Sequence, residues 1–310
     1  MLDRLLGNGQ LKADLSAALA ARRLPHAILI CAADGLGKNF AARAIAADYL
    51  WPGGGAGAER VMAGACEEVF CLEPEGAGNL IRVDSVRRIR GHLSETALLA
   101  EGRVVLVKNA QRLHPAAANA LLKSIEEPPA GVVFILTADS EASILPTIRS
   151  RCAVYTLAPL PEAVCLQQLT ARGTDPRQAE FLCAVYGGAL GSCLAAANEE
   201  RREELALALQ TANAGAEKNA WQLLCLTAPL LQKKDKAPLG RLLQDMQDIL
   251  GRALAAVPVP GLACDPQNAA CMLPAVRTAR AELAANGNQK LLCTLLCSRL
   301  AGQSPVPDQL

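Results

Sequence analysis

The chain has 310 residues, 51% apolar but only 3% aromatic, which suits a Leu-, Ala-, Val- and Ile-built core in two or three units and argues against an all-β sandwich. Thirty-one basic against thirty acidic residues leave a formal charge of +1, so no global field draws the protein to nucleic acid or an anionic membrane. Met1 to Gly7 carry no long apolar stretch and no run reaches membrane-span length, so a cytoplasmic protein without membrane contact is expected, with cysteines such as Cys31, Cys165, Cys183 and Cys225 as buried free thiols.

In chain order, five short apolar runs alternate with helical patterns: Ala27 to Cys31, Leu80 to Val83, Val104 to Val107, Val132 to Thr137 and Ala153 to Leu157. Strand and helix alternation of this kind predicts a mainly parallel sheet covered on both faces. The first strand is followed by a helix over Phe40 to Leu50, and Pro52 to Gly57 then reads as a flexible surface insertion. Asp84 is a candidate N-cap for a helix with Val86, Ile89 and Leu93 on one stripe. His114-Pro115 opens a helix carrying Ala118, Leu121, Leu122 and Ile125, which Pro128-Pro129 stops.

After Leu157 the strand patterns end. Pro159 and Pro161 mark a linker into short helices, with Asp175-Pro176 as a helix start and Gly187-Gly188 as a break. From Glu199 onward the pattern is helical, interrupted at Lys233-Lys234-Asp235-Lys236, from Pro258 to Pro266, and at Asn286-Gly287-Asn288. Cys293 and Cys297, four apart without a second close pair, read as core rather than as metal ligands.

Chemistry concentrates in the first half. The first strand runs into Ala32-Ala33-Asp34-Gly35-Leu36-Gly37-Lys38-Asn39. A phosphate loop needs glycines, so that backbone N–H groups can wrap an anion at a helix start, and a lysine for the outer phosphates; Gly35, Gly37 and Lys38 supply these. Ala32 stands where glycine is usual and Asn39 where a hydroxyl would ligate magnesium, so the loop is degenerate, and an ordinary strand-to-helix turn is the competing reading. Past Val104 to Val107, where a nucleotide hydrolase carries its metal-binding Asp and its Glu, stand Lys108 and Asn109. Neither can do that work, so hydrolysis is not expected.

Other polar groups read more plainly. Arg82, Arg87, Arg88 and Arg90 could face phosphates or form a solvated face, and the helical stripe favours the solvated face. Adjacent Glu126 and Glu127 diverge on a helix and read as helix-end structure, and His26, His92 and His114 lack nucleophile partners.

The run Asn119-Ala120-Leu121-Leu122-Lys123-Ser124-Ile125-Glu126-Glu127-Pro128-Pro129, followed by Leu145-Pro146-Thr147-Ile148-Arg149-Ser150-Arg151-Cys152, resembles the bacterial clamp-loader AAA+ subunits, both δ′ and γ/τ. Leu24-Pro25-His26-Ala27, Ile81-Arg82-Val83-Asp84 and Asn286-Gly287-Asn288 extend the resemblance along most of the chain. It implies an α/β RecA-like AAA+ domain with a degenerate P-loop over 1–159, a three-helix lid over 160–200 and an all-helical collar for oligomerisation over 201–310.

The lost carboxylates at Lys108 and Asn109 favour δ′ over γ/τ, as does Gly188-Ala189-Leu190-Gly191-Ser192, which has no arginine where active subunits present one to the γ-phosphate. The resemblance further implies an arginine finger acting on a neighbouring subunit at Arg151, with Arg149 able to share or replace it. Implied partners are the γ/τ and δ subunits, the sliding clamp, and primer-template DNA within the assembled complex. No cofactor is expected, weak ATP, ADP or anion binding at Gly35, Gly37, Lys38 and Asn39 being left open. Many relatives carry a four-cysteine zinc module, but residues 50 to 80 hold only Cys66 and Cys71, so zinc is not expected. The rival readings are an active γ/τ-type ATPase and a degenerate AAA+ interaction protein outside the loader.

Overall fold

Apolar runs bounded by Gly, Pro and Asn become strands, the three central ones buried on both faces and the two edge ones only in part, and the amphipathic segments between them become the covering helices. The computed structural model describes residues 1–76, 78–93, 99, 101–231 and 235–302. The chain divides into two compact units, Met1–Leu160 and Pro161–Leu310.

The first unit runs α1 (Gly9–Ala20), β1 (Ala27–Cys31), α2 (Lys38–Leu50), α3 (Gly55–Ala63), β2 (Val69–Leu72), α4 (Val83–Leu93), β3 (Arg103–Val107), α5 (Pro115–Glu126), β4 (Val132–Ala138), α6 (Pro146–Arg149) and β5 (Ala153–Thr156). The strands form one sheet in the order β2-β3-β4-β1-β5. All neighbours are parallel, with Ala27 opposite Phe134 and Ile28 opposite Ala153. Strand alternation divides the core. Ile28, Ile30, Val104, Leu106, Val133 and Ile135 pack with α1, α2 and α3, while Leu29, Val105, Val107, Phe134 and Leu136 pack with α4, α5 and α6.

Three expectations for this first unit are corrected. Leu80 to Val83 is not a strand: only isolated bridges form at Leu80 and Ile81, and the edge position belongs to β2. Ile81 exchanges backbone hydrogen bonds with Arg112 and His114, which fixes the chain just before α4. Asp84 lies inside the first turn of α4, which begins at Val83, instead of capping it. Pro52 to Gly57 is not an irregular insertion throughout, because α3 begins at Gly55 and buries Ala58 and Val61. Gly57 permits this by lying flat on the Trp51 ring, where an added Cβ would stand 2.3 Å from a ring carbon.

At the sheet's entry edge, Gly102, just before β3, has φ of +107°, and an added Cβ would lie 1.9 Å from the Gly131 carbonyl oxygen. That approach requires glycine.

The second unit is helical: α7 (Glu162–Ala171), α8 (Pro176–Tyr186), α9 (Leu190–Ala196), α10 (Glu199–Ala216), α11 (Ala220–Leu231), α12 (Ala237–Leu254), α13 (Pro266–Ala284) and α14 (Gln289–Leu300). Asp175 caps α8 through Arg177 and Gln178 N–H groups, with Pro176 in the first turn. One hydrophobic cluster runs from Cys165 to Leu300, so the helices on either side of residue 200 share a core. A buried polar group joins them as well: Asp245, 1% exposed, accepts hydrogen bonds from the Tyr186 hydroxyl at Oδ1 and from Arg201 Nη2 at both carboxylate oxygens. Glu204 joins Arg201 to Arg241. Cys31, Cys165 and Cys183 are buried as expected, but Cys225 is exposed, on the side of α11 away from the buried Leu223, Thr227 and Leu230. Residues 233 and 234 of the Lys233–Lys236 interruption lie outside the described residues. Among the described residues no helix is long and apolar enough to cross a membrane.

Candidate nucleotide site and arginine string

The phosphate-loop residues leave the carboxyl end of β1, where open α/β sheets bind their ligands. The Ala32 N–H donates to the Ala138 carbonyl of β4 at 3.0 Å, which fixes the loop base. Gly35 and Gly37 have φ of +79° and +90°, and Gly37 leads directly into α2. These left-handed positions turn the chain so that the first N–H groups of α2 face the loop.

Lys38 is 4% exposed. Its Nζ donates to the Ala32 carbonyl at 3.1 Å, to Asp34 Oδ1 at 2.7 Å and to Asp139 Oδ1 at 2.6 Å. An ammonium has three protons, and three acceptors take them. Asp139 follows β4 directly and is itself held, its Oδ2 accepting from Gln111 Nε2 at 2.8 Å. The lysine that would meet a phosphate is thus neutralised by two carboxylates of the same chain. Phosphate oxygens entering there would meet those carboxylates.

Asn39 also engages its own chain. Its Oδ1 accepts from Thr137 Oγ1 at 3.1 Å, and Thr137 Oγ1 accepts from the Asn109 N–H at 3.1 Å. Asn109 sits in the left-handed region at φ +53°, a conformation Asn tolerates better than most residues. Lys108 points elsewhere, its Nζ pairing with Glu73 Oε2 at 2.8 Å. At the loop the Lys38 ammonium is engaged by three acceptors of its own chain, and the Lys108 side chain is turned away toward Glu73.

The structure therefore brings Gly35, Gly37, Lys38, Asn39 and the Asn109 backbone together and leaves the Lys108 side chain with Glu73. Asp34, Thr137, Gln111 and Asp139 belong to the same cluster and were not anticipated. Asp139 carries one legible signal, its position immediately after a strand adjacent to β1.

Arg151 lies apart from this cluster along the chain, just after α6. Its Nη1 donates to the Thr147 carbonyl at 3.0 Å and Ser150 Oγ at 3.2 Å, and its Nη2 pairs with Glu126 Oε1 at 2.8 Å. Arg149, at the end of α6, is exposed and has no ion pair among the described residues. Arg87 pairs with Asp84, Arg88 and Arg90 are exposed on the solvated face of α4, and Arg82 is exposed just before the helix begins. His114 caps α5, accepting from the Ala116 N–H at 3.3 Å, and His92 stacks on Phe70.

A five-stranded parallel sheet in this order, with a glycine-turned loop after β1 and helices on both faces, defines a P-loop unit of the AAA+ class. The family model for "DNA polymerase III, delta subunit" matches residues 7–161. The chain belongs to that family, and it aligns with curated δ′ subunits of bacterial DNA polymerase III.

A DNA polymerase III subunit delta′ of Pseudomonas aeruginosa is 40% identical over 174 residues, 53% of each chain. One of Escherichia coli is 36% identical over 208 residues, 63% of this chain and 62% of that protein. The chain thus spans only about half to three-fifths of the length of these curated relatives. A gamma/tau subunit of Mycobacterium tuberculosis is 32% identical over 59% of this chain and 32% of its own. Among solved structures, a DNA polymerase III gamma-subunit-related protein of Thermotoga maritima covers 94% of this chain and 99% of its own, with a TM-score of 0.50 at 19% identity. A mutant RuvB of the same organism covers 99% and 92%, with a TM-score of 0.51 at 13% identity. At such identities the likeness speaks for the fold alone.

Proposed function

We propose that this chain is a non-hydrolysing δ′-type subunit of a bacterial DNA polymerase III clamp loader, which scaffolds the complex and presents Arg151 to the ATP site of a neighbouring subunit. Its partners are the γ/τ and δ subunits, the sliding clamp, and primer-template DNA inside the assembled ring. In this reading residues 160–200 act as the lid and 201–310 as the oligomerising collar. Family membership supports the complex, and the site supports the division of labour.

The observation that carries the reading is the state of Lys38. A working phosphate loop keeps its lysine for phosphate, whereas here Asp34, Asp139 and the Ala32 carbonyl take all three ammonium protons. Lys108 and Asn109 remove the other requirement, a carboxylate pair for metal and water. Arg151, by contrast, remains on the surface with 40% of its side chain exposed. A guanidinium there has the fixed charge and planar donors that stabilise a transferring phosphoryl group.

The test is steady-state ATPase of the purified chain alone and of the chain assembled with γ/τ and δ subunits. The reading expects no turnover from the isolated chain and co-purification with the other subunits. Turnover that follows the chain through purification and disappears in Lys38→Ala would make it a γ/τ-type ATPase. Failure to assemble would make it an AAA+ interaction protein outside the loader.

A further inference from the structure

Three buried cysteines meet in the helical unit, and neither the phosphate loop nor the arginine string accounts for them. Cys165 comes from α7, Cys183 from α8 and Cys193 from α9, so each of three successive helices contributes one sulfur. Their exposures are 0%, 5% and 0%. All three Sγ atoms lie within 4.8 Å of one another.

Within that group, Cys165 and Cys193 are 3.8 Å apart, and the Cys193 thiol also donates to the Leu182 carbonyl at 3.6 Å. A disulfide needs sulfurs about 2.05 Å apart, so this is a cluster of thiols. A metal bound by three sulfurs at about 2.3 Å in a plane sets those sulfurs about 4 Å from one another, from elementary geometry and the usual metal–thiolate length. The observed spacing brackets that value, and small rotamer adjustments would complete the triangle.

We propose that Cys165, Cys183 and Cys193 form a three-sulfur site for a soft d10 cation. The chemistry of the donor set selects the class. Among the described residues no fourth Cys, His or carboxylate joins the group, whereas structural zinc sites are almost always tetrahedral. Soft thiolates without harder donors favour ions such as Cu(I). Binding exchanges protons for metal: three thiols release three protons to solvent as they become thiolate ligands, and no atom changes oxidation state. The bound ion would staple α7, α8 and α9 at one point. This site shares no residue with the proposed nucleotide and finger sites, so the two readings stand or fall separately.

The test uses the full chain carrying Cys71→Ser, Cys225→Ser and Cys271→Ser, which removes the exposed thiols. It is titrated without oxygen with Cu(I) in a competing chelator and, in a parallel arm, with Cd(II), which distinguishes a monovalent from a divalent preference. The expected result in at least one arm is one ion per chain that survives desalting, a three-sulfur shell by X-ray absorption, and a raised melting temperature. In Cys193→Ala, checked for an unchanged fold by circular dichroism, the ion and the thermal shift are lost. If Cys193→Ala does not fold, Cys165→Ser serves as the second variant. Neither ion held beyond desalting, or binding that persists in the variant, would overturn the site.

Discussion

Arg151 reaches back across α6 to Glu126, the last residue of α5, with Nη2 and Oε1 2.8 Å apart. Both side chains are about two-fifths exposed, at 40% and 39%. Water screens such a pair, and it contributes about 1 kcal/mol or less. The contact adds little to the hold that the Thr147 carbonyl and Ser150 Oγ already have on the guanidinium through Nη1.

That weakness gives the first prediction. Glu126→Gln should change the unfolding free energy by less than about 1 kcal/mol. Urea titration followed by circular dichroism measures it; a loss several times larger would make Arg151 a structural brace.

The phosphate loop gives the second. Asn at both Asp34 and Asp139 keeps the shape of the side chains while removing the charges that neutralise Lys38. Affinity for ADP should rise by about tenfold or more, equivalent to about 1.4 kcal/mol. Lys38→Ala in the same background should abolish the gain. Calorimetric titration of wild type and variants checks both steps, and a wild-type chain that already binds ADP as tightly as the double variant would contradict the account.

A third concerns the helical unit. Arg201→Leu would leave Asp245, 1% exposed, with Tyr186 as its remaining hydrogen-bond donor. Stranding a buried carboxylate costs about 3–5 kcal/mol. Asp245→Asn, which removes the charge but keeps an acceptor, should cost less. Denaturant unfolding of both variants ranks them, and the reverse order would refute the assignment of Asp245 as the charge that needs Arg201.

The fourth contrasts two glycines. Gly102→Ala drives a methyl into the Gly131 carbonyl at a left-handed φ and should cost about 2 kcal/mol or more. Gly91→Ala, in α4 with open space around the added carbon, should gain up to about 1 kcal/mol. Thermal melts of the pair decide it.

Much of this was legible because local chemistry and fold agree. β1, β3, β4 and β5 follow continuous apolar runs, and His114-Pro115 and Asp175-Pro176 mark the starts of α5 and α8. β2 escaped because it is four residues with only Leu72 buried, while Leu80 to Val83 looked more strand-like. Ile81 is buried, but for bridging to Leu113 and not for sheet membership. The P-loop was legible as a motif, its occupation by acidic groups was not. Asp139 stands 101 residues from Lys38, and only the strand order β4-β1 brings them together. The Arg151–Glu126 contact likewise depends on how α6 meets α5. Cys225 is exposed against expectation because a helix rich in apolar residues offers no sequence signal for which side is covered.

In the proposed function this chain keeps a catalytic group for a neighbour while lacking a working site of its own. The most direct measurement is the DNA- and clamp-stimulated ATPase rate of a loader reconstituted with wild type, Arg151→Ala or Glu126→Gln. Assembly is verified for each by size-exclusion chromatography. Arg151→Ala is expected to assemble normally and to lower turnover by about tenfold or more, arginine fingers being worth about 10³–10⁵ in turnover at a single site, while Glu126→Gln stays near the wild-type rate. An Arg151→Ala complex that assembles and hydrolyses ATP at the wild-type rate at every partner site would contradict it.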